Sequence, residues 1–155
     1  MSALLETQVD PGWVDYNGHM NDAAYALVFS RGTDALMDRV GLDAAGRARH
    51  NQTIYTLSML IHYLHEVHPG ACLRVEARVL EHDAKRMRVW LELFAGDVLA
   101  ATSEQLILCV RKSPDVAKAA RFAPEVAGRV AALAAASATL PLPEMAGRGI
   151  ALRRK

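Results

Sequence analysis

An aspartate, an asparagine and a histidine stand at positions i, i+2 and i+4 in the run Asp15-Tyr16-Asn17-Gly18-His19-Met20-Asn21. A carboxylate, a carboxamide and an imidazole thus cluster just before the apolar-periodic segment that reads as a helix. The unpaired N–H groups at such a helix start form a local positive site that can polarise a carbonyl or hold an oxyanion. Asp15 beside them could attack an acyl carbon or take a proton from water. An ordinary turn accounts for the same residues: Asn-Gly is a strong turn dipeptide, asparagine caps helices, and an aspartate satisfies loop amides. Signatures of other chemistries are missing, with no GxSxG, no glycine-rich phosphate loop and no HExxH. His62, His65 and His68 have a suggestive spacing, but on a strand His65 points away from the other two, so no metal is expected there. Glu104 is a candidate second carboxylate, or simply an outward-facing strand residue.

The elements that must hold these groups are readable from hydrophobic period. Residues 4–15 make a short strand candidate broken at Pro11-Gly12. A helix is predicted from Asp22 to Val40, with Tyr25, Val28, Phe29, Leu36 and Val40 on one stripe. Gly32 falls on that stripe, where a missing side chain lets a helix sit close on a sheet. Asn21 suits its N-cap, Asp22 its first turn and Gly41 its C′ position. A short helical turn is expected within Leu42–His50. Four strands follow at about 53–66, 72–81, 86–94 and 98–111, with Tyr55, Leu57, Met59, Ile61 and Tyr63 read as one face of the first. Period-2 alternation with short links predicts an antiparallel meander. A second helix is expected over 124–136. The order gives an α+β domain, a five-stranded antiparallel sheet around one long helix, over residues 1–137, then an extended basic tail over 138–155. The outer sheet face carries Trp90 and Phe94 among charges, so a partner is expected to cover part of it. A single helix-on-sheet layer leaves little interior room, which favours a site between subunits.

The 155 residues amount to one domain, and 52% apolar with 23% charged residues exclude a disordered chain. A net charge of +1 argues against a nucleic-acid binder. Residues 113–155 nevertheless carry seven basic against three acidic groups, mostly through Arg148, Arg153, Arg154 and Lys155. Cys72 and Cys109 both sit in apolar runs and read as two buried thiols in a reducing compartment. The first six residues do not read as a signal peptide, and no apolar run approaches 18 residues, so a soluble cytoplasmic protein without membrane contact is expected.

The run Asp15-x-x-Gly18-His19-Met20-Asn21-x-x-x-Tyr25 resembles the 4-hydroxybenzoyl-CoA thioesterase-like branch of the hotdog-fold superfamily. Ile61-His62-Tyr63 through His68-Pro69-Gly70 resembles it too, and the likeness covers about residues 8–112. It implies a hotdog fold, an acyl-CoA substrate, no cofactor, and a homodimer, or a tetramer of paired dimers, with sites at the interface. Asp15 then matches the nucleophile or general base. Asn17 and His19 match the Asp-x-Asn-x-His arrangement of related acyl-ACP thioesterases, where they position substrate or water. Backbone N–H groups from Met20 to Asp22 would polarise the thioester carbonyl. Asp22 departs from the second asparagine of many relatives and adds a carboxylate suited to a cationic substrate.

Val14 through Asn21 is further similar to thioesterases of bacterial carnitine breakdown, which hydrolyse betainyl-CoA. On that likeness Met20, Asn21 and Asp22 line the substrate site, and Trp13, Tyr16 and Tyr25 would face a quaternary ammonium by cation–π attraction. The same rings are also ordinary core candidates. For the CoA phosphates, Lys85, Arg86, Arg88, Arg111 and Lys112 are candidates, each equally explained as a solvated strand edge. A short acyl-CoA thioester hydrolase is therefore expected, with a non-catalytic acyl-CoA-binding protein or an acyl-ACP thioesterase as the other readings.

Overall fold

The computed structural model describes residues 3–152. Arg153, Arg154 and Lys155, the end of the expected basic tail, lie outside the described residues. The elements are β1 (Leu5–Gln8), a 3₁₀ turn (Pro11–Trp13), α1 (Asp22–Met37), α2 (Ala44–His50), β2 (Gln52–Tyr63), β3 (Cys72–His82), β4 (Arg86–Ala95), β5 (Val98–Lys112), β6 (Ala117–Ala119) and α3 (Pro124–Ala138). The expected α+β arrangement is present. All strand pairings are antiparallel, in the order β1-β3-β4-β5-β2, and β6 adds to the end of β5.

α1 lies on the inner face of this sheet because its stripe is apolar at helical period. Tyr25, Val28, Phe29 and Leu36 are all buried. Each such side chain contributes roughly 1.5–3 kcal/mol of transfer free energy. At Gly32 a Cβ would come within 2.8 Å of Val75 Cγ1, so the absent side chain is what admits the close approach. The helix stops at Met37, short of the expected Val40. A wide turn, Asp38–Leu42, comes next and passes through Gly41 at φ +91°, a left-handed conformation that glycine adopts without penalty. Leu73, Val75, Val79, Met87, Val89, Leu91 and Leu93 form the sheet side of the core, on the expected faces.

Strand β2 departs from simple alternation. A bulge between Thr56 and Ser58 inserts Leu57 without a partner and flips the face of the residues beyond it. Tyr55, opposite Leu108, faces outward, whereas Met59, Ile61 and Tyr63, opposite Gln105, Ser103 and Ala101, face α1. The single face expected for all five residues is therefore split.

Part of the outer face is covered by the chain itself. β1 pairs only with Cys72–Val75, and α3 lies against the rest of β3. Beyond α3 the chain crosses the sheet: Arg78 Nη2 donates to the carbonyls of Ser137 (3.2 Å) and Pro141 (3.0 Å), and Gly147 N donates to Glu104 Oε2 (2.8 Å). Arg78 and Glu104 are the two cross-strand neighbours of Trp90, which is 2% exposed. The segment after α3 thus roofs Trp90, where the sequence pointed to a partner. Phe94 instead lies under the guanidinium of Arg74, 4.3 Å from ring centroid to Cζ.

Cys109 is buried and its thiol is pushed up to about 11 by burial, but Cys72 is exposed, contrary to expectation. Cys72 begins a strand, where the pairing with β1 ends. No helix among the described residues is long and apolar enough to cross a membrane.

Candidate active site

The loop before α1 is closed at its base by a bridge between Val14 and Met20. Inside it Asp15 N donates to His19 O and Gly18 N to Asp15 O, both at 3.0 Å. Gly18 takes φ +79°, so the tightest point of the turn needs glycine. Met20 pegs the loop down, its side chain buried in the core and its N–H bonded to Val67 O at 2.8 Å.

Asp15 is half-buried, and its Oδ1 accepts the Asn17 N–H at 2.8 Å. Its Oδ2 has no hydrogen bond among the described residues, which leaves one oxygen able to attack or to take a proton. The turn reading and the catalytic reading are therefore compatible, one oxygen serving each. Asn17 is exposed. His19 is half-buried, its Nε2 lying 3.2 Å from Glu66 Oε2 and its ring edge-on to His68 at 5.1 Å.

Asn21 holds the loop to the helix. Its Oδ1 accepts the Ala24 N–H at 2.9 Å, the expected N-cap, while its N–H and its Nδ2 both donate to Trp13 O at 2.8 Å. With these bonds made, Asn21 has little left for a substrate. The N–H groups of Met20 and Asn21 are likewise committed, to Val67 and Trp13. Of the three expected to polarise a carbonyl, only that of Asp22 carries no hydrogen bond among the described residues. Asn21→Ala is expected to cost about 1–2 kcal/mol, read by thermal unfolding. It should also lower kcat, because the helix start would no longer be registered against the loop.

The structure does not assemble Trp13, Tyr16 and Tyr25 into one box. Tyr16 is 97% exposed at the loop tip, and the face of Trp13 is taken by Arg31 at 5.2 Å. Tyr25 is buried and meets a ring not expected there, Tyr63 at the end of β2. An open cleft of ≈ 250 Å³ lies beside the loop, lined by His19, Met20, Asp22, Tyr25, Tyr63, Leu64, His65 and Glu66. Glu66 joins Asp22 there as a carboxylate expected near a cationic head group, whereas Tyr63 does not stand out in the sequence as a site residue because it lies some forty positions downstream. The available signal was the break at Pro69-Gly70, which marks an irregular link between β2, ending at Tyr63, and β3. That link lies beside the loop through Val67 O.

The expected phosphate contacts lie elsewhere. Arg86 is held by Asp83 at 2.6 and 2.8 Å. The Lys85 and Arg86 backbone N–H groups, with the Arg86 guanidinium, hold that carboxyl down at about 2. Arg88 is paired with Glu81 and Glu104, both at 3.0 Å, which also places Glu104 on the outer sheet face, away from the loop. Arg111 and Lys112 are exposed, but Arg111 lies opposite Gln52, at the other end of β5 from Ala101 and Tyr63. Ten residues of strand separate the two ends, about 33 Å at ~3.3 Å per residue.

Residues 9–130 match the family model described as the thioesterase-like superfamily. The chain belongs to that superfamily. It is 47% identical to a protein of Pseudomonas aeruginosa named betainyl-CoA thioesterase, over 98% of both chains. It is also 40% identical to the L-carnitine dehydrogenase/betainyl-CoA thioesterase of Agrobacterium fabrum, covering 95% of this chain but only 30% of that longer protein. Among solved structures it resembles a putative thioesterase from Pseudomonas putida, at 37% identity and TM-score 0.81 over 99% of both chains. A Staphylococcus aureus protein solved in complex with CoA matches at 27% identity and TM-score 0.85, covering 96% of this chain and 94% of that one. The curled antiparallel sheet and its helix are the thioesterase hotdog fold, as the sequence resemblance implied.

Proposed function

We propose that this superfamily member hydrolyses an acyl-CoA thioester to the free acid and CoA, and that its substrate is betainyl-CoA. The likeness to the Pseudomonas aeruginosa betainyl-CoA thioesterase, spanning nearly all of both chains, carries this reading. Asp15 Oδ2 supplies the electron pair, either to the thioester carbon or to a proton of the attacking water. If Asp15 attacks, an acyl–Asp15 anhydride forms as the C–S bond breaks, and a water then cleaves it to the free acid and regenerates the carboxylate. If Asp15 takes the proton, the water oxygen bonds the acyl carbon and the C–S bond breaks. In both cases the thiolate leaves and takes up a proton. The Asp22 N–H at the start of α1 stabilises the charge that grows on the carbonyl oxygen. His19, steadied by Glu66, lies beside Asp15 across the turn and positions the water or the substrate. Thiol release measured across a panel of acyl-CoAs is expected to be fastest with betainyl-CoA. Binding of these thioesters without any release would overturn the hydrolase in favour of an acyl-CoA-binding protein.

The working form is a dimer in this reading. β2 is the longer of the sheet's two edge strands, at twelve residues against four for β1, and exposes Tyr55 and Leu57. Two-fold pairing along it sets the Gln52 end of one copy beside the Tyr63 end of the other. Arg111 and Lys112 of a second copy then come within reach of CoA phosphates that a single chain leaves unmatched. Sedimentation at micromolar concentration is expected to show at least a dimer; an active monomer would contradict it. The two unpaired cysteines fit a reducing, cytoplasmic setting.

A further inference from the structure

Beside the catalytic loop, the rings of Tyr25 and Tyr63 stand 5.1 Å apart with their planes at 82°. Each hydroxyl donates to a main-chain carbonyl, Tyr25 to His65 O at 3.2 Å and Tyr63 to Asp22 O at 3.3 Å. Those bonds fix the rings: Tyr63, 52% exposed, has its π surface left to offer a ligand, while Tyr25, buried, backs it at the cleft wall. The carboxylates of Asp22 and Glu66 line the same cleft, and among the described residues no lysine or arginine does. Arg31, on the helix that carries Tyr25, is turned onto Trp13. The tyrosines register this negative field. Tyr63 is raised above the ordinary phenol range by burial first and by the Asp22 charge second. Tyr25 is raised mainly by burial, with smaller contributions from Tyr63 and Glu66 and an opposing one from the Val67 backbone. Both phenols are therefore neutral at pH 7.

We propose that Tyr25, Tyr63, Asp22 and Glu66 form the recognition site for a quaternary ammonium acyl head group, with Tyr63 and Glu66 setting specificity. The proposal rests on the thioesterase reading and assigns the head group to side chains of that site. A trimethylammonium has no N–H to donate and spreads its charge over methyl groups. It gains from π faces and from a diffuse negative potential, and needs no directed acceptor. A neutral group of the same shape buries the same apolar area and gains neither. Glu66 also touches His19, so the charge that selects the head group stands next to the loop that carries Asp15.

The experiment compares kcat/KM for betainyl-CoA and its neutral isostere, 3,3-dimethylbutanoyl-CoA, in wild type, Tyr63→Leu and Glu66→Gln. The wild type should favour the charged thioester by roughly ten- to several-hundred-fold. Tyr63→Leu should narrow that ratio by about 2- to 30-fold, the range for one ring. Glu66→Gln should narrow it too, and the narrowing should shrink as salt is raised. A variant that slows both substrates equally, leaving the ratio as in wild type, overturns the assignment. Titration with tetramethylammonium chloride against sodium chloride of equal ionic strength gives a readout independent of turnover. Binding that weakens in Tyr63→Leu while neither thioester is cleaved would sustain this site and sink the hydrolase. Cleavage with no Tyr63-dependent binding or ratio would do the reverse.

Discussion

Asp15→Asn is expected to fold as the wild type does and to lose about 10²–10⁴ in kcat, the scale of a general base or nucleophile. The substitution is close to isosteric, and the carboxamide oxygen can still accept the Asn17 N–H that Asp15 Oδ1 accepts now. The turn, its glycine at φ +79° and the peg at Met20 should therefore persist, and the melting temperature should stay near that of the wild type. What changes is the other oxygen, replaced by an NH₂ that can neither attack a thioester nor take a proton from water. The loss should appear in kcat more than in KM, because the group acts on the reacting carbon rather than on the CoA body. Steady-state thiol release decides it. Turnover close to wild type would remove Asp15 from the chemistry and leave the loop a turn.

Trp90→Ala is expected to destabilise the fold by about 3–5 kcal/mol, the usual cost of emptying a large buried aromatic site. For a chain of this length the melting temperature should fall by roughly 6–20 °C. The reason is the roof over the outer sheet face. Trp90 stands between Arg78 and Glu104, and each of these ties the segment after α3 down across it. Its indole N–H is satisfied by Glu92 at 3.1 Å, so the ring is buried without an unmet donor. Thermal unfolding measures the drop. A shift of only a degree or two would mean that the segment does not cover Trp90 in solution.

Most of the site's scaffold was legible because it is local. Asn21, the stripe from Tyr25 to Leu36, the missing side chain at Gly32 and the turn at Gly41 all act within a few residues of one another. Helical period and capping chemistry express them directly. The faces of β3 and β4 were legible for the same reason over Leu73–Val79 and Met87–Leu93, since their irregularities fall only beyond Val79 and Leu93. Strand β2 was not, because the bulge at Leu57 comes from pairing with β5 and leaves no mark in the apolar pattern. That single extra residue turns Tyr63 toward α1 and so decides which aromatic ring meets Tyr25.

The sequence by itself determined the run from Asp15 to Asn21 at the start of a capped helix, the order of the elements, and the absence of other familiar catalytic signatures. These are matters of residue type and short spacing, which the chain carries at every stage of folding. Tertiary structure decided the partners. It put Arg31 on Trp13 and Tyr16 into solvent, spent the Asn21 side chain on a cap, and left Asp22 with the free N–H among the described residues. It paired Arg86 and Arg88 with carboxylates and carried Arg111 to the far end of the sheet. It also brought Tyr63 and Glu66 to the loop. The physical reason is that charge pairing and ring packing depend on distance in space, and two residues some forty positions apart acquire that distance only when the sheet closes over the helix.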